Sequence, residues 1–193
     1  MSRLKITPNF LTGIRIVLAV LTFFLMWNPS LVSRILASVT FTSAGLTDIW
    51  DGRLARKKGM ITPSGTIMDP IADKILILGT FILLSALGFY PFWVLAPIFF
   101  REIAVTLVRL YLLTKKIVVQ AEMGGKIKVI SQIFSLGVTY LCLLFRDYLG
   151  RDLDPVWVGV LVSLNYFFLT VATGVTLISG WDFFKKNWKF IHA

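Results

Sequence analysis

Four aspartates carry the chemistry that this chain can do. Asp48 and Asp51 stand three residues apart, and Asp69 and Asp73 stand four apart. On helices, each spacing puts both carboxylates on one face. Gly52 and Ala55 follow Asp48 at i+4 and i+7, so the strip beside the first pair is nearly bare and a bulky ligand can approach the backbone. Carboxylates alone form an oxygen-only donor set, which suits Mg2+ or Mn2+. Two such ions about 3.5–4 Å apart form the clamp used for in-line displacement at phosphorus. Arg56 closes the first motif and is a ready phosphate partner. Early in the following helix, near Gly65 and Thr66, free N–H groups also favour an anion.

These acids sit in an apolar chain. Of 193 residues, 56% are hydrophobic and only 16% are charged, against about 25% in a soluble domain. About six apolar segments use nearly the whole length. The expected fold is an all-α integral membrane protein of six transmembrane helices, forming one membrane-embedded domain over residues 1–193. The helices are expected over 11–27, 31–56, 66–87, 92–114, 126–148 and 155–179. The connections are a turn at 28–30, a basic loop at 57–64, an uncharged turn at 88–91 and loops at 115–125 and 146–154. The basic, aromatic tail 181–193 reads as an interfacial anchor.

The net charge of +10 lies between the apolar segments, where it sets topology and attracts anionic membrane lipids rather than nucleic acid. The basic connections put both termini and the aspartate cluster on the cytosolic side of the cell's inner (cytoplasmic) membrane. Cys142 lies inside an apolar run and has no cysteine to pair with. His192 is the only histidine and adjoins the C-terminus, which argues against catalysis by histidine.

Carboxylates at membrane depth cost roughly 2.5–3.5 kcal/mol each, so the cluster needs compensation. Asp–Arg salt bridges are one source, but four acids against one nearby Arg56 leave negative charge over. A divalent-cation transporter is the rival of a different class. Transport sites usually lie at the bilayer midplane between repeats, whereas this cluster lies toward one side and no repeat is visible.

The order Asp-x-x-Asp-Gly-x-x-Ala-Arg, eight residues, then Gly-x-x-x-Asp-x-x-x-Asp resembles the signature of the CDP-alcohol phosphatidyltransferases. Asp48, Asp51, Gly52, Ala55, Arg56, Gly65, Asp69 and Asp73 match every fixed position. The resemblance implies a CDP-diacylglycerol donor, an alcohol acceptor, two divalent ions and a homodimer. It also implies that Asp48 and Asp69 bridge the ions, that Asp51 and Asp73 complete the two sites, and that Asp73 is the general base. Gly52, Ala55, Arg56 and Gly65, with Thr62 from the loop, would hold the nucleotide and diphosphate. Asn9 and Thr12 resemble the family's Asn-x-x-Thr element at the nucleotide end; on the residues alone they read as a helix cap.

A second set of residues bears on the acceptor. Pro8 to Thr12 with Arg15, then Arg101-Glu102, Arg109 and Gly125-Lys126-x-Lys128-x-x-x-Gln132, most resemble the branch of the family whose acceptor is glycerol 3-phosphate. Val129 stands where that branch often carries Thr. A phosphorylated acceptor needs a basic pocket beyond Arg56, and Arg101, Arg109, Lys126 and Lys128 are its candidates. The alternatives are snorkelling lysines at 126 and 128 and an Arg101 paired with Glu102 or with a neighbouring helix. Inositol phosphate, serine and phosphatidylglycerol are the other acceptors that the resemblance allows.

Overall fold

The structure is a computed structural model. It describes residues 8–58, 63–115, 117, 119, 123–149 and 154–192, with the backbone alone at 8–11, 48–58, 63–71 and 191–192. Most of these residues fall in six helices: α1 (Pro8–Trp27), α2 (Leu31–Lys58), α3 (Pro63–Ala86), α4 (Phe92–Thr114), α5 (Met123–Leu149) and α6 (Pro155–His192). No strand occurs among the described residues. Contacts divide the chain into two compact units, Met1–Leu83 with Leu143–Arg151, and Leu84–Cys142 with Asp152–Ala193.

In the first unit, α1 and α2 form an antiparallel pair joined by the expected turn at 28–30. Asn28 Oδ1 accepts from the Ser30 amide at 3.2 Å, and Arg34 N–H donates to the Ser30 carbonyl at 3.0 Å to start α2. Small buried residues, Ala19, Ala37 and Ala44, let the two backbones approach. Polar side chains cross the seam: Thr22 and Thr40 share a hydrogen bond of 2.8 Å, and Ser33 Oγ donates to the Leu25 carbonyl at 2.7 Å. Arg34, near the start of α2, is ion-paired with Asp147 at the end of α5.

α3 lies against α1 at Gly79, where an added Cβ would come within 2.5 Å of Phe23 Cζ. Ala at this position would recover up to about 1 kcal/mol of helix propensity. Val adds bulk to the same clash, so Gly79→Val is expected to cost about 1–3 kcal/mol, read as a lower midpoint in thermal unfolding.

In the second unit, Gly88 closes the turn after α3 at φ 82°, a conformation that favours glycine. Tyr90 follows and is buried, and burial pushes its phenol up in pKa. α4 packs along α6. Polar groups again lie inside: Tyr90 hydrogen-bonds Thr139, Thr139 donates to Asn165 Oδ1 at 2.7 Å, and Gln132 donates to Thr176 at 3.0 Å. The outer faces carry large apolar side chains such as Phe24, Trp93, Phe100 and Leu141, each at least two-thirds exposed.

Several helix ends differ from those expected. Lys57 and Lys58, expected in the basic loop, continue α2, and α3 is described from Pro63. Pro suits the first helical position, because the N–H it lacks would have no intrahelical partner there. α1 starts at Pro8, which puts Asn9 inside the helix rather than at a cap position. The basic, aromatic tail is helical. It continues α6 to His192, with Phe183 and Asn187 buried. By length and composition, the two helices Met123–Leu149 and Pro155–Phe190 are long and apolar enough to cross a membrane, and Thr12–Trp27 and Leu31–Thr47 are shorter apolar stretches.

Candidate active site

The paired aspartates fall on continuous helix. Asp48 and Asp51 lie in α2, and Asp69 and Asp73 lie in α3. Each pair is therefore one turn apart on its own helix, as the spacing requires. The side chains of Asn9, Asp48, Asp51, Gly52, Ala55, Arg56, Gly65 and Asp69 lie outside the described residues, and Thr62 lies outside them altogether.

Asp73 is described in full. Its Oδ1 accepts a hydrogen bond from Arg15 Nη1 at 2.6 Å. Arg15 is fully buried in α1, while the Asp73 side chain keeps 43% of its surface. The contact is a short charge-assisted bond that fixes the carboxylate from its buried side and leaves it reachable from the other. Thr12, one turn before Arg15, is also fully buried. The signal for the Arg15–Asp73 pair was there: a lone cation in an apolar run needs an anion, and the aspartates had negative charge to spare.

The second unit holds a basic cluster built from α4, α5 and α6. Arg101 and Glu102 are neighbours in α4 and share an ion pair of 3.2 Å. Lys128 reaches from α5 to the same oxygen, Glu102 Oε1. Arg101 Nη2 donates to Ser179 Oγ in α6 at 2.8 Å. Gly180 makes room for this reach, since a Cβ there would come within 2.8 Å of Arg101 Cγ. Arg109, two turns further along α4, lies within electrostatic range of Arg101. Its guanidinium stands 5.4 Å from the centroid of the Phe183 ring, a cation–π contact. The Nε–H groups of Arg101 and Arg109 are buried with no hydrogen-bond partner among the described residues.

Of the four expected acceptor-side cations, three are thus in or near one cluster and one is not. Lys126 is exposed, while Lys128 is buried. Two residues along a helix turn the side chain by about 200°, so one ligand on the Lys128 face of α5 does not meet Lys126. Glu102, Ser179 and Gly180 are participants that the sequence reading did not assign to the site. Glu102 adjoins Arg101 in the chain, and its bond to Lys128 spans 26 residues.

Carboxylate pairs on helices, an arginine-held aspartate and a separate basic cluster are the parts that a metal-assisted phosphoryl chemistry uses. Comparison with known proteins points the same way. The family model for CDP-alcohol phosphatidyltransferase matches residues 5–178. A probable phosphatidylglycerophosphate synthase of Mycobacterium tuberculosis is 36% identical over 182 residues, covering 92% of this chain and 82% of the relative. A CDP-diacylglycerol–glycerol-3-phosphate 3-phosphatidyltransferase of Bacillus subtilis is 36% identical over 160 residues, covering 82% and 76%. One of the same name from Rickettsia bellii is 31% identical over 186 residues, covering 95% and 96%. The match runs through both aspartate pairs and the basic cluster, and the chain belongs to the CDP-alcohol phosphatidyltransferase family.

Proposed function

We propose that this enzyme transfers the phosphatidyl group of CDP-diacylglycerol to glycerol 3-phosphate, releasing CMP. The names of the relatives support the donor and acceptor. The observation that carries the acceptor is the basic cluster. The buried Nε–H groups of Arg101 and Arg109, with no hydrogen-bond partner among the described residues, and the buried Lys128 supply donors and charge suited to a phosphate, which a plain alcohol lacks. Arg101, Arg109 and Lys128 are its phosphate-binding residues.

Asp48, Asp51, Asp69 and Asp73 fit two divalent ions, Mg2+ or Mn2+. All are oxygen donors in helical pairs, and the one described carboxylate is both anchored and reachable. The ions, when bound, neutralise charge on the diphosphate and on the departing CMP. Asp73 takes the proton of the acceptor hydroxyl. The hydroxyl oxygen forms its bond to the lipid-side phosphorus as the bond from that phosphorus to the CMP oxygen breaks, so no covalent enzyme intermediate is needed. Arg15 holds Asp73 in orientation for this step. Arg56, Gly52, Ala55, Gly65 and Thr62, with Asn9 and Thr12, bind the CDP end of the donor.

The setting is the cytoplasmic membrane, with six spans, both termini and the active site on the cytosolic side, and the whole chain acting as one catalytic domain in a homodimer. Large apolar side chains on the outer faces, with hydrogen-bonded polar groups among the buried residues, support this reading. At about 57 Å, α6 exceeds a hydrocarbon core of about 30 Å, so its basic end extends to the anionic headgroups.

The test is CMP release by purified enzyme from CDP-diacylglycerol with Mg2+ or Mn2+ and a panel of acceptors. Release is expected with glycerol 3-phosphate and is expected to stop when EDTA removes the metal and to return with Mg2+ or Mn2+. Release with inositol phosphate, serine or phosphatidylglycerol instead would overturn the acceptor. No release with any of them, together with metal-ion flux in proteoliposomes, would favour a cation transporter.

A further inference from the structure

We propose that Glu102 is the positioning residue of the acceptor-phosphate pocket, where one carboxylate oxygen holds both Arg101 and Lys128 and sets the charge of the pocket. The inference rests on the glycerol 3-phosphate reading and adds to it a residue with no contact to substrate. An acid among phosphate-binding cations is at first sight misplaced, because it repels the ligand. Its geometry explains its presence. Glu102 Oε1 receives both Arg101 Nη1 and Lys128 Nζ, so residues on α4 and α5 are fixed through one atom. Both cations and the acid are nearly buried, with side-chain exposures of 8–9%.

Two buried cations without a counter-ion are costly, and they would turn away from each other when the pocket is empty. Glu102 supplies the anion that holds them until a phosphate arrives. Ser179 fixes the other arm of the guanidinium, and the buried Nε–H of Arg101 is among the donors with no partner among the described residues.

The charges also fit the ligand. Arg101, Arg109 and Lys128 against Glu102 leave +2. A phosphomonoester near neutral pH carries about −1.5 to −2. Without Glu102 the pocket would carry +3 and would hold its cations apart. Its carboxylate therefore acts through Arg101 and Lys128 and is expected to govern acceptor binding rather than the chemical step.

The test is steady-state kinetics of the purified full-length enzyme, with glycerol 3-phosphate titrated at saturating CDP-diacylglycerol. Glu102→Gln keeps the side-chain volume and removes the charge. It is expected to raise the acceptor KM about tenfold or more and to weaken competitive inhibition by inorganic phosphate in parallel, because one arm of a buried charge cluster is lost. Turnover at saturating acceptor and the KM for the donor are expected to stay within about threefold of the parent, as for loss of binding that ground and transition states share. Glu102→Asp, which keeps the charge but reaches less far, is expected to lie between. If Glu102→Gln does not fold, Glu102→Asp decides, with an expected rise of about threefold or more in acceptor KM. An acceptor KM at the parent value in the folded variants, with only turnover or thermal stability reduced, would mean a merely structural Glu102 and overturn the proposal. The parent separates this failure from that of the function. A parent that does not use glycerol 3-phosphate overturns both, whereas an active parent whose variants keep its acceptor KM loses the role of Glu102 alone.

Discussion

Asp73→Asn is expected to lower turnover by about a thousandfold or more while binding of CDP-diacylglycerol stays within a few-fold of the parent. The substitution is nearly isosteric. The amide oxygen of Asn can still accept from Arg15 Nη1, so the bond seen at 2.6 Å has a replacement and α3 keeps its packing. What disappears is the negative charge and the capacity to take a proton. If Asp73 is the base, the loss falls on the chemical step. Single-turnover CMP release measures that step, and filter or calorimetric binding of the donor measures the rest. Donor binding lost in proportion to turnover would argue that Asp73 serves mainly to hold the CDP group through metal.

The second large effect is expected at Arg15. Arg15→Met keeps an unbranched side chain in a fully buried position but leaves Asp73 without its guanidinium. Removing one partner of a fully buried pair costs about 3–5 kcal/mol. Asp73 is 43% exposed, and solvent takes over part of its stabilisation, so the expected loss in stability is smaller, about 1–2 kcal/mol. The effect on catalysis is expected to exceed the effect on folding, about a hundredfold in turnover, since a displacement of about 1 Å at a reacting group has that consequence. Arg15→Lys is expected to restore only part, because an ammonium lacks the planar fork. In a double-mutant cycle, Arg15→Met is expected to cost little further turnover in an Asp73→Asn background. Full additivity would separate Arg15 from the function of Asp73.

Much of this was legible in the sequence because the relevant signals are local. Pairs at i,i+3 and i,i+4 need only helical periodicity to share a face, and α2 and α3 supply it through Asp48, Asp51, Asp69 and Asp73. The turns at Asn28-Pro29-Ser30 and at Gly88 were readable for the same reason. The boundaries that moved did so where composition misleads. Lys57 and Lys58 look like loop but extend α2, and Pro63 looks like a breaker but starts α3. Gly180 looks like the end of α6, yet the helix runs on to His192, and Arg101 occupies the space beside the glycine.

What could not be read was tertiary. Arg15 and Asp73 are 58 residues apart, and four aspartates competed for one arginine. Glu102 lies beside Arg101 in sequence, which conceals that its longer-range partner is Lys128. Lys126 and Lys128 share a motif but not a face of α5, and burial shows which of the two faces inward.

The most direct measurement is the transfer itself. Purified enzyme in phospholipid vesicles is given CDP-diacylglycerol, Mg2+ and glycerol 3-phosphate labelled in its glycerol carbons. The account predicts that label enters the lipid phase as phosphatidylglycerophosphate, one for each CMP released, and that neither appears without the donor or after Asp73→Asn. CMP released with no label entering lipid, or label entering lipid without CDP-diacylglycerol, would contradict it.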